Sequence, residues 1–310
     1  MWYNSSGIWR FQMTLKKLFI ILFLISLTVM AKQAGEQAGT EGKSFLWEIN
    51  TPAGKSYLLG SIHLMKKEHY PLNDSIEQAF QQSQILAVEA DLSGDKMFQE
   101  GMKMLQKGMY TGEETLQKNV SAKTFQLAKD KMKELGMDIE AFKTFKPWML
   151  AMTIESMEVM KLGFDPNFGI DKYFLDKAVG KKEIVELEGI DFQLQLFEGF
   201  SKEENENFLV SSIMEADRTG KEVIRMVEAW SKGDTQGMAE LMNGNVDKYP
   251  ELKGVYKKIL GNRNEKMVEK ISQYLETGKC YFIVAGAAHM VGEKGIVRLL
   301  QNKGIQVTQL

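Results

Sequence analysis

Tyr57-Leu58-Leu59-Gly60-Ser61-Ile62-His63 and Tyr281-Phe282-Ile283-Val284-Ala285-Gly286-Ala287-Ala288-His289 decide how this chain is read. Each is an apolar run closed by Gly-x-x-His, and each is followed by a helix-like stretch and another strand-like run. Short apolar runs rich in β-branched and aromatic residues predict buried strands. The glycine upstream of each histidine is expected to let the backbone turn sharply as it leaves the strand. The chain has 3 histidines, and two of them hold the same place in this repeated unit. The repetition implies that two imidazoles come together in one site.

Outward from the first copy, Phe45-Leu46-Trp47-Glu48-Ile49 and Lys55-Ser56-Tyr57-Leu58-Leu59 flank the turn signal Asn50-Thr51-Pro52-Ala53-Gly54, which predicts a hairpin. Asn73 or Asp74 can cap a helix carrying Ile76, Ala79 and Phe80 on one face. Ile85-Leu86-Ala87-Val88-Glu89-Ala90 reads as a buried strand. Around the second copy, a helix with Ile296, Val297, Leu299 and Leu300 stops at Gly304, and Ile305-Gln306-Val307-Thr308 reads as a last strand. Strand, helix, strand at this spacing predicts parallel pairing through a right-handed crossover. The expected fold is therefore α/β, a mixed sheet built from two pseudo-symmetric βαβ units. A large helical insertion, over residues 95–278, separates them. Side by side, the units place both histidines at strand C-terminal ends, where open α/β sheets bind ligands.

Within the insertion, apolar clusters at helical spacing include Met97, Met102, Met104 and Leu105, then Phe125, Leu127, Ala128 and Met132. Met149, Met152, Ile154, Met157 and Met160 follow Pro147-Trp148, a proline suited to a helix start. Further helices are expected at 172–179, 204–217, 221–231, 235–242, 247–260 and 264–276. Glu183-Ile184-Val185-Glu186-Leu187-Glu188 alone reads as a strand. The methionines are read as adaptable core filler. Trp148 is read as a buried indole.

Residues 1–31 read as an N-terminal extension and secretory signal: Lys16 and Lys17 precede an apolar run from Leu18 to Met30, with small residues near Ala31. That run is shorter than the roughly 20 apolar residues of a spanning helix. Cleavage and export to the periplasm or exterior are expected, with an uncleaved membrane anchor as the other reading. Residues 32–43 read as a linker and 44–310 as the folded domain. Removing residues 1–31 takes away Arg10, Lys16 and Lys17 and no acid, moving the formal net charge from −2 to −5. A mildly acidic surface gives no electrostatic footprint for nucleic acid. The single cysteine, Cys280, cannot form an internal disulfide and reads as a buried, inert thiol.

Acids on strand-like apolar runs are the first candidates to complete a site with His63 and His289. Glu89 and Glu188 end their runs, and a carboxylate there is costly unless paired, hydrogen-bonded or metal-bound. Asp91 and Glu186 read as loop caps or salt-bridge partners. Ser61 reads as small-residue packing, and His69, among Lys66, Lys67 and Glu68, as a solvated side chain. No Gly-x-Ser-x-Gly elbow and no His-Glu-x-x-His helix occurs.

These residues resemble the TraB/GumN family, related to the Tiki proteins of animals, over about 44–310. The matching pieces are Tyr57 to Leu64, Val88-Glu89-Ala90-Asp91, Lys146-Pro147-Trp148, Gly169-Ile170-Asp171, Leu187-Glu188 with Gln193, Arg263-Asn264, and Val284 to Gly292. Met290 stands where the family often has Leu, a volume-conserving change. The resemblance implies a pseudo-symmetric α/β domain and, from Tiki relatives, metal-dependent peptidase activity on peptide or protein substrates. Remote relatives include erythromycin-esterase-like hydrolases and haem-binding ChaN-like lipoproteins, which differ in metal use.

His63, Glu89, Glu188 and His289 form a nitrogen and oxygen donor set suited to Mn²⁺, Co²⁺ or Zn²⁺. One glutamate would be a ligand and the other a general base. Arg263 has two readings: its fork holds a substrate carboxylate or developing oxyanion, or it orients a glutamate. Asn264 reads as a helix cap, and Asp171 as a cap or a buttress of the site. In a metal-free alternative, His63 or His289 is the base and the glutamates orient it. The expected function is an exported, metal-dependent hydrolase of peptidase type. The alternative is a non-catalytic protein of the same fold that binds a metal, a haem or a peptide.

Overall fold

A computed structural model of the chain describes residues 42–248 and 250–310. The signal-like segment and most of the linker lie outside those residues. Six strands, β1 (Leu46–Thr51), β2 (Gly54–Ser61), β3 (Ile85–Val88), β4 (Glu183–Glu186), β5 (Tyr281–Gly286) and β6 (Gln306–Gln309), form one mixed sheet in the order β4-β3-β5-β2-β1-β6. The helices used below are α1 (Asp74–Gln82), α2 (Lys96–Gly108), α3 (Ala122–Glu134), α4 (Pro147–Lys161), α5 (Ile170–Ala178), α6 (Ile190–Glu198), α7 (Lys202–Ser231), α8 (Thr235–Lys248), α9 (Asn262–Leu275), α10 (Ala287–Met290) and α11 (Ile296–Asn302).

The two Gly-x-x-His strands are neighbours. β2 and β5 pair in parallel, with Tyr57 opposite Phe282 and Ser61 opposite Gly286. β3 pairs in parallel with β5 on its other side and with β4 beyond. The β1–β2 hairpin forms as expected. The last strand-helix-strand unit differs from expectation. β6 does not lie beside β5 but pairs antiparallel with β1 at the far edge. β1 and β2 are inserted between the strands of that unit, just as β5 is inserted between β2 and β3. The two strands of each unit run in a common direction, but neither unit closes on itself.

Parallel register puts Tyr57 and Phe282 on one face, and there Phe282 packs against Phe80 of α1 and Phe174 of α5, with ring centroids 5.4 and 4.7 Å away. Fully burying each such ring contributes about 1.5–3 kcal/mol. Tyr57 also donates its hydroxyl to Gln82 at the end of α1 (2.6 Å). A second apolar cluster lies in the helical insertion, built from α2, α3, α6 and the first halves of α4 and α7. Both long helices run from this cluster into the sheet core, where Val159, Val223, Val227 and Trp230 join it. α7 is a single 30-residue helix rather than the two expected at 204–217 and 221–231. Gly220 sits mid-helix, and the Leu162 side chain packs into the space beside it, with Cδ1 2.3 Å from where a Cβ would stand. Pro147 opens α4, Trp148 is buried, and Met104, Met132, Met149, Met152 and Met267 fill the two cores. Cys280 is half-buried, with its Sγ 3.7 Å from the Ser83 hydroxyl.

Candidate functional site

The carboxyl ends of four adjacent parallel strands, β4, β3, β5 and β2, carry Glu188, Glu89, His289 and His63 in that order. In an open α/β sheet the loops outside the carboxyl ends of the strands leave a crevice for a ligand. Neither glycine of the repeated motif adopts a left-handed conformation. Space demands Gly60, whereas Gly286 stands where the strand passes directly into the short α10 helix. A Cβ on Gly60 would lie 2.5 Å from Phe45 Cδ1. A Cβ on Gly286 would enter a cradle bounded by Glu89 Oε1 (3.4 Å), His289 Cδ2 (3.5 Å) and His63 Nε2 (3.7 Å).

Each imidazole is anchored through Nδ1. His63 Nδ1 lies 2.6 Å from Asp171 Oδ2, while the Ser61 hydroxyl donates to Asp171 Oδ1 at 2.7 Å. Asp171 is in the first turn of α5, where the helix dipole favours a carboxylate. Gly169 lets α5 approach: its Cβ would fall 2.2 Å from the His63 carbonyl oxygen, and Ile170 N–H donates to the Ile62 carbonyl at 3.0 Å. Ser61, read as packing alone, thus contributes a hydrogen bond, and Asp171 is the buttress. On the other side, His289 Nδ1 lies 2.5 Å from Asn264 Oδ1. Asn264 is no helix cap; it holds a histidine.

Glu89 and Glu188 converge on one guanidinium. Arg263 Nε donates to Glu188 Oε1 and Oε2 (3.1 and 3.0 Å), Nη2 donates to Glu188 Oε2 (2.8 Å) and to Glu89 Oε2, and Nη1 donates to the Ile259 carbonyl (3.2 Å) in the π turn Lys257–Gly261. The Arg263 side chain is 3% exposed, and its fork is spent on two protein carboxylates and a backbone carbonyl. Of its two sequence readings, the structure shows the glutamate-orienting one. Gln193 on α6 also reaches both acids, at 3.2 and 3.4 Å. Glu89 Oε1 accepts from Gly286 N–H at 2.6 Å, tying the acid to the histidine-bearing strand. The two acids are brought level because Glu188 and Gly189 N–H both donate to the Glu89 carbonyl (3.1 and 2.8 Å), extending the β3–β4 pairing. Asp91 and Glu186 take structural places: Asp91 pairs with Lys96, and Glu186 accepts from Asp91 N–H at 2.7 Å. His69 sits half-buried in a short 3₁₀ turn, with Nδ1 against the Lys66 backbone.

Burial, the largest influence on every group here, penalises charge. For Glu89, the positive charge of Arg263, the two histidines and the Gly286 N–H outweigh burial and bring its carboxyl to about 2. For Glu188 burial wins: its carboxyl is raised despite Arg263, with the Glu89 charge adding to the rise. One guanidinium balances one of two carboxylates. The imidazoles split as well. Burial opposes charge on His63, but the Asp171 carboxylate overcomes it and raises the pKa. Burial and then Arg263 push His289 down to about 3, so it is neutral at physiological pH. His63 keeps 23% of its side chain exposed, the most open of the site's imidazoles and acids.

Glu89 Oε1 and His63 Nε2 border the cradle, and a His anchored at Nδ1 has Nε2 left to serve as a ligand, so the donor chemistry of these residues fits a divalent cation. The spacing is wider than in a closed centre. Among the described residues, the three-acid group whose ligand atoms lie within 4.8 Å of one another is Glu134, Glu158 and Asp217. That group is filled by the Lys131 ammonium, at 2.8–3.0 Å from each.

Residues 45–309 match the TraB/PrgY/gumN family, a span that takes in both Gly-x-x-His motifs and every residue of the cradle. The chain belongs to the TraB/PrgY/gumN family. Among family relatives, it is 23% identical to the uncharacterized protein YbaP of Shigella flexneri over 270 residues, covering 85% of this chain and 96% of that one. The YbaP of Escherichia coli K12 matches to the same extent. An uncharacterized Treponema pallidum protein is 24% identical over 191 residues, 60% of this chain and 56% of that one. No solved structure matches. The family match covers the sheet and the helical insertion alike, so the insertion is part of the TraB/PrgY/gumN unit. Among the described residues no helix is long and apolar enough to cross a membrane.

Proposed function

We propose that this chain is an exported hydrolase of peptidase type, working with a divalent ion of the Mn²⁺, Co²⁺ or Zn²⁺ class. The observation that carries the reading is the cradle over Gly286, where His63, His289 and Glu89 meet with both Nδ1 atoms already committed. His63 Nε2, His289 Nε2 and Glu89 would hold the ion. When bound, such an ion supplies Lewis acidity that lowers the pKa of a water from about 15.7 to around 7. Glu89, the stronger acid, stays ionised as a ligand. Glu188, whose pKa burial raises, is the better proton acceptor of the two. Arg263 keeps the two carboxylates together and so acts through them. The choice of peptide as substrate rests on the resemblance to Tiki relatives, and export rests on the signal-like residues 1–31.

A second reading is favoured by the Ser61–Asp171–His63 chain. A histidine oriented by a buried carboxylate is equipped as a general base without a metal. His63 Nε2 has one lone pair, so it serves as ligand or as base, not both. Metal analysis of tag-free protein, combined with cleavage of an unstructured peptide with and without chelator, separates the readings. Stoichiometric metal and chelator-sensitive cleavage support the first. Chelator-resistant cleavage that is lost in His63→Ala supports the second. Metal or ligand bound without turnover of any peptide would make the chain a binding protein and overturn both.

A further inference from the structure

The Asn264 amide has one orientation that its surroundings allow. Its Nδ2 lies 2.7 Å from the Lys294 carbonyl oxygen, which accepts and cannot donate. The NH₂ end is therefore fixed on Lys294, and Oδ1 is left facing His289 Nδ1 at 2.5 Å. An amide oxygen accepts only, so Nδ1 must carry the proton. Asn264 is 4% exposed and His289 is 1% exposed, so water does not compete for either contact.

The carbonyl that sets this chain of contacts is delivered by the loop just after the motif. Gly292 sits at φ +82°, which glycine adopts without strain. Gly295 N–H closes back on the Gly292 carbonyl at 3.0 Å. A Cβ on Gly295 would lie 2.4 Å from the Val291 carbonyl and 2.6 Å from that of Met290. The glycines of Gly292-Glu293-Lys294-Gly295 thus wind the chain tightly enough to aim Lys294 O at Asn264.

We infer that Asn264 is a positioning residue, oriented by the Lys294 carbonyl, that locks His289 as its Nδ1–H tautomer and leaves Nε2 as a permanent lone-pair donor toward the cradle. The two histidines are thereby fixed by different devices: His63 by an anion that tolerates its protonation, His289 by a neutral amide that tolerates one tautomer. The inference deepens the proposed function, which needs Nε2 of His289 free, but it is read in the protein without added metal and without any substrate.

The test is the nitrogen spectrum of ¹⁵N-histidine-labelled full chain near neutral pH, assigned through His289→Gln. The wild type should show His289 with a protonated Nδ1 and a pyridine-type Nε2. Asn264→Leu, which removes the acceptor, should shift His289 toward the Nε2–H tautomer that a free histidine side chain prefers, with the His63 signals unmoved. Asn264→Asp keeps an acceptor for Nδ1–H but sets a carboxylate oxygen against Lys294 O. It should retain the wild-type tautomer while amide exchange in residues 291–295 accelerates. A wild-type His289 found as Nε2–H, or an Asn264→Leu variant that keeps the Nδ1–H signature, overturns the inference. Should Asn264→Leu not fold, the wild-type spectrum and the Asn264→Asp pair still decide it. Peptide cleavage failing in the wild type would sink the proposed hydrolase and leave the tautomer result standing.

Discussion

Replacing Arg263 with Leu removes the cation that both Glu89 and Glu188 touch and leaves two buried carboxylates facing each other. Removing one partner of a buried ion pair costs about 3–5 kcal/mol. The fall of the Glu89 carboxyl from its ordinary 4.5 to about 2 corresponds by itself to roughly 3 kcal/mol. Against a total stability of about 5–15 kcal/mol the variant should still fold. Its melting temperature should drop by roughly 10 °C. The sign of the pH dependence is fixed by the direction of the shifts. In the wild type the depressed Glu89 contributes stability that is present above about 4.5 and lost as the pH falls toward 2. In the variant burial raises both carboxyls, so their cost is full at neutral pH and fades as they protonate in acid. The destabilisation, measured by urea unfolding of both proteins, should therefore be largest at pH 7 and shrink by pH 4. Adding Glu188→Gln to the variant should recover part of the loss. A loss below about 1 kcal/mol at pH 7, or one that does not change between pH 7 and pH 4, would show that the Arg263 charge does not offset the two carboxylates.

Gly169→Ala forces a Cβ onto the His63 carbonyl, 2.2 Å away, and should displace His63 from Asp171. Peptide turnover should fall about 100-fold, with a circular dichroism spectrum like that of the wild type; unchanged turnover would contradict the account of that close approach. Glu155 is buried between α4 and α7, accepts from the Ser212 hydroxyl at 2.5 Å, and is raised to about 8 by burial and the Glu222 charge. Its neutral form is the stable one, so stability is lost as the pH rises from about 4.5 through 8. Glu155→Gln should escape that loss and exceed the wild type at pH 9 by on the order of 4 kcal/mol, read from unfolding midpoints at pH 6 and pH 9; equal losses in both proteins would count against it. Trp230→Phe removes the buried 2.6 Å bond from the indole N–H to the Gly60 carbonyl and should cost about 1–3 kcal/mol in urea unfolding, and a neutral result would show that bond to be worth little.

That the two Gly-x-x-His strands end side by side was legible in their shared pattern, but their direct pairing was not, because each was expected to pair within its own βαβ unit and β5 instead enters between β2 and β3. The position of β6 was not, because strand order is set by long-range packing, and nothing in Gln306 to Gln309 names β1 as its partner. α7 read as two helices because Gly220 costs helix propensity, and the packing of its two halves against α4 and both cores comes from residues far away in sequence. Glu89 and Glu188 stood out as acids on strand-like apolar runs, and the structure places them on either side of Arg263. β4 itself proves to be an edge strand with exposed and half-buried residues, so burial of Glu188 comes from α6 and α9 rather than from its own strand. The contact of Asn264 with His289 had no local signal. Its neighbour Arg263 is one residue away on a helix, and residues so spaced point about 100° apart. One faces the acids and the other the histidine. Ser61 lay inside the motif that marked the site, yet a serine beside a glycine reads as packing until its acceptor, Asp171, is known.

Mass-spectrometric cleavage of an unstructured peptide pool, by wild type and by Glu89→Gln loaded with Mn²⁺, Co²⁺ or Zn²⁺, tests the central claim most directly. Glutamine keeps the shape of the Glu89 side chain but loses the charge that Arg263, Gly286 and the cradle hold in place. The account predicts cleavage by the wild type, reduced about 100-fold or more in Glu89→Gln while both proteins unfold cooperatively. Equal cleavage by the two, or none by the wild type with any of the three metals, would contradict it.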